Sequence, residues 1–256
     1  MAIGFRRSQI HYITGLAASL FLAFSCLGAS ADQIQLMSGS TVTGQITGVS
    51  DGQISITISL ASGGAGKTVV NLSDVKSVQM AAPDAVTALK NATPDKVIAT
   101  LAPIVKNYAG LKADWVVDAM AQLAAAYESS NQDPQAVAIY TQIDQLYPGS
   151  NYQNAAAAGL AQLDLQQGKV ADALAKLQPV IDKASADLAS SPEQGRSYAQ
   201  AFLVYGQALQ QQKEYSKALE AYLTVKTMFY QNPALVAQAE QLASALRQQN
   251  PGLGVD

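Results

Sequence analysis

The stretch of sequence that decides the fold is LAAAYESSNQDPQAVAIYTQIDQLYP, residues 123–148. Small and aromatic residues alternate in it at helical spacing, and a proline closes it: Ala124, Tyr127, Ala136, Tyr140 and Pro148. Small residues let two helices approach closely, and larger side chains fill the space beside them. A proline ends the second helix and sets the next turn. The stretch therefore predicts a pair of packed helices.

The same offsets recur twice further along the chain. A second unit carries Ala161, Gly168, Ala173 and Leu177, and a third carries Phe202, Tyr205, Gly206, Tyr215, Ala218 and Tyr222. The second unit has Asp164 and Leu177 at the positions where the first unit has Tyr127 and Tyr140. Ala136, Ala173 and Ala218 lie 37 and 45 residues apart. This irregular spacing predicts extra residues in the loops, above all between Ser185 and Arg196.

These positions resemble the pattern of tetratricopeptide-repeat proteins over about residues 94–249. The resemblance implies an α-solenoid of helix pairs at residues 114–256, closed by a capping helix after Asn232-Pro233. It also implies a concave face on which peptides or helices of other proteins lie. Carried over by repeat position, the groove-facing candidates are Glu128, Gln162, Gln166, Gln207, Gln210 and Gln211. The alternative for each is an exposed polar side chain without a partner.

Residues 83–113 are predicted to be linking helices. Pro83-Asp84 and Thr93-Pro94 are typical of helix starts, since proline is favoured in the first turn. Trp115 follows this segment, and we expect it to pack against the preceding helix.

Residues 32–82 have the composition of β-structure. Ile54, Ile56, Ile58 and Leu60 alternate with polar residues, which is the pattern of a half-buried strand. Five such short strands bury one face by curling into a small barrel. Their spacing resembles small SH3-like or Sm-like barrels. The predicted fold class is α+β, a small N-terminal β-barrel followed by a tetratricopeptide-like α-solenoid.

The segment from Ala61 to Thr68 is similar to a phosphate-binding loop. Such a loop needs a helix directly after it, because helix N–H groups hold the phosphates. Here Val69 to Leu72 predicts a strand instead. We therefore expect a flexible hairpin loop and no nucleotide.

The N-terminus has the three parts of a secretory signal. Arg6 and Arg7 precede an apolar run from Ile13 to Gly28, and small residues close it at Ala29-Ser30-Ala31. We expect residues 1–31 to be a signal peptide and the protein to be exported, to the periplasm. An uncleaved membrane anchor and a lipid on Cys26 are the alternatives, and membrane association is expected only if the signal is retained.

Removal of this segment limits the chemistry. Cys26 and His11 are the only cysteine and histidine of the chain. The remaining chain would have no disulfide, no thiolate nucleophile, no imidazole base and no Cys or His metal ligand. We therefore expect no catalytic residues, no cofactor and no metal. Carboxylate-only catalysis stays open, although no pair of acids stands out.

The charge of the chain gives no indication of a polyanionic partner. Without Arg6 and Arg7, 14 basic residues face 19 acidic ones, and the basic residues form no cluster. Nucleic acid is therefore not an expected partner. The predicted function is an exported, non-catalytic scaffold that binds other proteins or peptides in the bacterial cell envelope. The alternatives are a structural protein that self-assembles into a homo-oligomer through its β-domain, and a carboxylate-only enzyme.

Overall fold

A computed structural model describes residues 31–61, 63–187 and 190–253. The predicted signal peptide, apart from Ala31, lies outside the described residues. In the part of the chain that the structure describes, no helix is long and apolar enough to cross a membrane.

The N-terminal part forms one antiparallel sheet. Its strands are β1 (Asp32–Leu36), β2 (Thr41–Ser50), β3 (Gln53–Ser59), β4 (Ala65–Asn71) and β5 (Val75–Gln79). They lie in the order β4-β3-β2-β1-β5, and a short 3-10 turn at Leu72–Asp74 joins β4 to β5. The predicted alternation holds for Ile54 and Ile56, which are buried on β3, and for Ile58, which is partly buried. It is wrong for Leu60, which lies beyond the end of β3 and is 45% exposed. β4 begins at Ala65, so the second half of the phosphate-loop-like segment is strand.

Nine helices follow in the described residues, and with the sheet they make an α+β fold, as predicted. They are α1 (Asp84–Thr87), α2 (Pro94–Tyr108), α3 (Asp114–Ser129), α4 (Asp133–Leu146), α5 (Asn151–Gln166), α6 (Val170–Ala186), α7 (Pro192–Gln211), α8 (Tyr215–Met228) and α9 (Pro233–Gln249). From α2 onward each helix packs on the next one. The alternate helices α3, α5, α7 and α9 also contact one another in turn. This second set of contacts creates one shared face.

The prediction of a long loop between Ser185 and Arg196 is wrong. α6 continues to Ala186 and α7 begins at Pro192, so most of these residues are helical. The physical reason is a capping box: the Ser191 hydroxyl accepts from the Gln194 N–H, and the Gln194 side chain accepts from the Ser191 N–H. The residues beyond the repeat length therefore lengthen α6 and α7 rather than a loop.

Small residues meet tyrosine rings between the helices. A Cβ atom added at Gly206 on α7 would overlap the ring of Tyr222 on α8. Likewise, a Cβ atom at Gly159 on α5 would overlap the ring of Tyr140 on α4. Both tyrosines are buried, as expected from their positions in the repeat pattern. Glycine at these two positions sets the close approach of the helices.

The sheet is joined to the helices by a common core. Buried residues of the sheet, such as Ile34 and Ile54, belong to the same apolar cluster as Leu101 on α2. The Asn107 side chain of α2 donates to the Thr47 carbonyl at 2.9 Å, and Lys112 Nζ donates to the Val75 carbonyl at 2.6 Å. The helical part is thereby anchored directly to β2 and β5.

Trp115 packs as expected against the preceding helix. Its ring meets that of Tyr108 edge to face, with 5.5 Å between the ring centroids.

Candidate protein-binding groove

Helices α3, α5, α7 and α9 line a continuous concavity, which we call the groove. It consists of three adjoining cavities of about 700, 370 and 440 Å³, which share lining residues. Alanine and glycine form much of its middle wall: Ala121, Ala125, Ala155, Ala158 and Gly159. Such short side chains leave room for a ligand between the helices.

Glutamines line one end of the groove, around Leu165. They are five of the six residues selected from the sequence: Gln162, Gln166, Gln207, Gln210 and Gln211. They meet because α5 and α7 pack side by side. On each of these helices the later glutamines follow the first by three or four residues and therefore lie on one face with it. The structure thus brings residues that are 40 or more positions apart in the chain into one cavity of about 440 Å³.

Gln210 also supports the packing behind the groove. Its Oε1 atom accepts a hydrogen bond from the hydroxyl of the buried Tyr222 at 3.1 Å. Because the phenol needs a partner when it is buried, this glutamine serves the fold as well as the groove wall.

Glu128, the sixth predicted residue, lies in the middle cavity with Tyr140, Gln162 and Gln207. The Oε1 atoms of Glu128 and Gln207 are both buried, and neither has a hydrogen-bond partner among the described residues. Burial raises the pKa of the Glu128 carboxyl, a hydrogen bond from the Tyr140 hydroxyl to the carboxyl lowers it, and the charge of Asp133 raises it further. The middle of the groove therefore presents two acceptor oxygens without donors.

A polar cluster occupies the other end, in the cavity of about 700 Å³. It consists of Asp114 and Asp118 from α3, Tyr152 from α5, and Glu193 and Arg196 from α7. Burial raises the pKa of Asp118 and Asp114 adds to the rise, whereas Arg196 and the Tyr152 hydroxyl lower it. Burial, followed by the charges of Asp118 and Asp114, raises the pKa of Tyr152 to about 12. The phenol thus keeps its proton at neutral pH and can donate to the Asp118 carboxyl.

Sequence reasoning missed this cluster. Its members lie near the starts of three helices that are separate in the chain, and only Asp114 and Asp118 are close neighbours in the sequence. The signal that could have found them is position: Asp114 and Glu193 stand in the first turns of two helices that the repeat pattern places on the same face.

The groove is acidic as a whole. Asp114, Asp118, Glu128 and Glu193 line its described walls, with Arg196 as the single basic side chain there. The arrangement suits a ligand that supplies hydrogen-bond donors or positive charge.

Comparison of the chain with protein-family models, with curated proteins and with solved structures found no match.

Proposed function

We propose that the protein is an exported, non-catalytic adaptor of the bacterial cell envelope, which binds a segment of another protein in the groove. In this proposal α3 to α9 form a tetratricopeptide-like α-solenoid, and the sheet forms a small barrel that anchors its first helices. The observation that carries the proposal is the convergence of Gln162, Gln166 and Gln207, Gln210 and Gln211 on one cavity.

The chemistry of the groove fits a polypeptide ligand. A peptide backbone offers one donor and one acceptor per residue, and a glutamine amide can satisfy either kind. The alanines and Gly159 leave space for side chains between these amides. Burying such a segment along several helices gives the extended contact by which helical arrays bind partners.

The test is capture of partners from crosslinked cell envelopes with the tagged protein. The unmodified chain is compared with a groove variant in which alanine replaces four glutamines: Gln162, Gln166, Gln207 and Gln211. Gln210 stays unchanged, because it supports Tyr222. The matched control replaces three exposed glutamines of α4, outside the groove, by alanine: Gln135, Gln142 and Gln145.

The proposal expects one or two reproducible envelope proteins with the unmodified chain. The groove variant should lose them, while the α4 variant should keep them. Equal capture by both variants would contradict the groove as the binding site.

A second candidate function is self-assembly through the sheet. Within the described residues β4 pairs only with β3, and the Val69 side chain on it is 56% exposed. A strand edge of this kind can pair with another chain. Lys67 beside Val69 opposes this, since an edge lysine discourages pairing. A large homogeneous particle of the isolated protein would favour this second function.

A further inference from the structure

Two acceptors in the middle of the groove lack a donor. The Oε1 atoms of Glu128 and Gln207 are both buried in the cavity that α3, α5 and α7 enclose, and neither is hydrogen-bonded within the described residues. An unpaired buried acceptor destabilises the folded state, and a charged one does so more strongly. A ligand that brings donors to this position therefore recovers a cost that the free protein bears.

The Glu128 carboxyl also lacks a compensating cation. The Tyr140 hydroxyl donates a hydrogen bond to this carboxyl, and the one charge that acts on it among the described residues is that of Asp133, which has the same sign. Arg196, the one basic side chain among the described residues of this cavity, acts on Asp118 instead. Burial of a carboxylate is costly unless the carboxylate is both paired with a charge and hydrogen-bonded. A cation of the ligand would supply both, whereas a neutral backbone N–H would supply only the hydrogen bond.

The walls around these oxygens suit a long side chain. Ala125, Gly159, Leu203 and Val204 line the same cavity, which has about 370 Å³ of space. Lysine and arginine carry several methylene groups that pack on apolar walls while the charged end reaches a polar group. The excess of carboxyls along the groove attracts a basic segment as well.

From these observations we infer that Glu128 and Gln207 form a recognition position for the ammonium of a lysine or the guanidinium of an arginine in the bound segment. The inference rests on the proposed function and adds the chemistry of the partner: an extended segment with a basic residue that enters the middle of the groove.

The test is selection of random peptides, by display, on the protein purified from cell envelopes. We expect the selected peptides to share a lysine or arginine at one position. One selected lysine peptide is then synthesised together with a copy that has norleucine, a neutral side chain of similar shape, in place of the lysine. Since hydrogen bonds to charged groups are the stronger ones, the wild-type protein should bind the norleucine peptide roughly tenfold to a hundredfold more weakly.

The Glu128→Gln variant should lose most of this difference, while Glu220→Gln, on an exposed surface of α8, should retain it. The comparison of the two peptides on the wild-type protein needs no variant, so a variant that fails to fold does not weaken the test.

The outcomes separate the two proposals. Peptides that compete in the groove but show no basic preference overturn this inference and leave the proposed function standing. An unchanged lysine-to-norleucine ratio in Glu128→Gln also overturns it. If no peptide is selected at all, both the inference and the proposed function fail.

Discussion

Gly206 lies where α7 meets the buried ring of Tyr222, and a Cβ atom there would overlap that ring. In an ordinary helix interior, Gly→Ala stabilises by about 1 kcal/mol. Here we expect the opposite sign, a loss of about 1–3 kcal/mol, because overpacking forces side chains and backbone to shift. Urea denaturation of Gly206→Ala measures the change.

Gly195 provides the control in the same helix. The nearest side-chain atoms to a Cβ there would lie at 3.6 and 3.8 Å, which is ordinary contact. Gly195→Ala should therefore leave the stability unchanged or raise it. A loss of equal size in both variants would show that the contact with Tyr222 is not the cause.

Glu128 gives a pH-dependent prediction. Burial raises the pKa of its carboxyl above the ordinary value, so the folded state binds this proton more tightly than the unfolded chain. The free energy of unfolding contributed by Glu128 therefore falls as the pH rises from the ordinary pKa through the raised one. Glu128→Gln lacks this titration, so the variant should gain stability relative to wild type between about pH 4 and pH 7.

Thermal denaturation of both proteins at the two pH values checks this result. Glu220→Gln, at an exposed position, controls for loss of a negative charge. A wild type that gains stability over the variant on going to neutral pH would contradict the environment assigned to Glu128.

At the level of single residues, the sequence predicted which side chains line the groove better than it predicted what they do. The repeat resemblance selected Glu128 and Gln207 from the sequence, and both residues line one cavity. It did not reveal that both oxygens lack donors, because that depends on the neighbouring helices. The hydrogen bond from the Tyr222 hydroxyl to Gln210 was not predictable from the sequence for the same reason.

Among the elements, the start of α7 carries the clearest prediction. The Ser191 hydroxyl accepts a hydrogen bond from the Gln194 N–H, and the Gln194 side chain accepts one from the Ser191 N–H. Ser191→Ala should cost about 1 kcal/mol of the free energy of unfolding. Ser191→Asp should restore most of it, since aspartate also accepts from the helix N–H groups. Urea denaturation of the three proteins checks this, and equal stabilities would contradict the cap.

The strands and helices were largely predictable because period-two and helical patterns are strong in this chain. The end of α6 and the start of α7 were not. The irregular repeat spacing predicts a loop between Ser185 and Arg196, yet serine followed by proline, as at Ser191-Pro192, is also how a capped helix begins. The sequence alone does not decide between the two, whereas Gln194 at the third helical position completes the capping box.

For the whole molecule, the common core of sheet and helices means that deletion of the sheet cannot distinguish an adaptor from a self-assembling protein. Ile34 of the sheet and Leu101 of α2 belong to one cluster, so deletion of residues 32–82 would expose apolar surface on the helices. The variant would then associate for reasons unrelated to function. Substitutions on the surface are the better test.

The size of the intact protein distinguishes the adaptor from the self-assembling protein. As an adaptor, the protein purified from cell envelopes should scatter light as a single chain over a wide range of concentration. The edge of β4, with Lys67 beside the exposed Val69, is poorly suited to pairing. A mass that grows with concentration, or a large uniform particle, would favour assembly through the sheet.

The acidic character of the groove emerges only at this scale. Asp114 and Asp118 are neighbours on α3, and Glu193 of α7 joins them because alternate helices contact one another, a meeting that no local pattern encodes. The repeat resemblance predicted a face with these glutamines, whereas the acidic side chains of the groove are seen together only in the packed structure.

Site-specific photocrosslinking in living cells tests the central claim most directly. A photoreactive residue replaces Gln162 in the groove, and the control places it at Lys183, an exposed position on α6. The groove position should crosslink to a short segment of another envelope protein, and the α6 position should not. Equal crosslinking from both positions, or crosslinks from Gln162 only to further copies of this chain, would contradict the groove as the binding site.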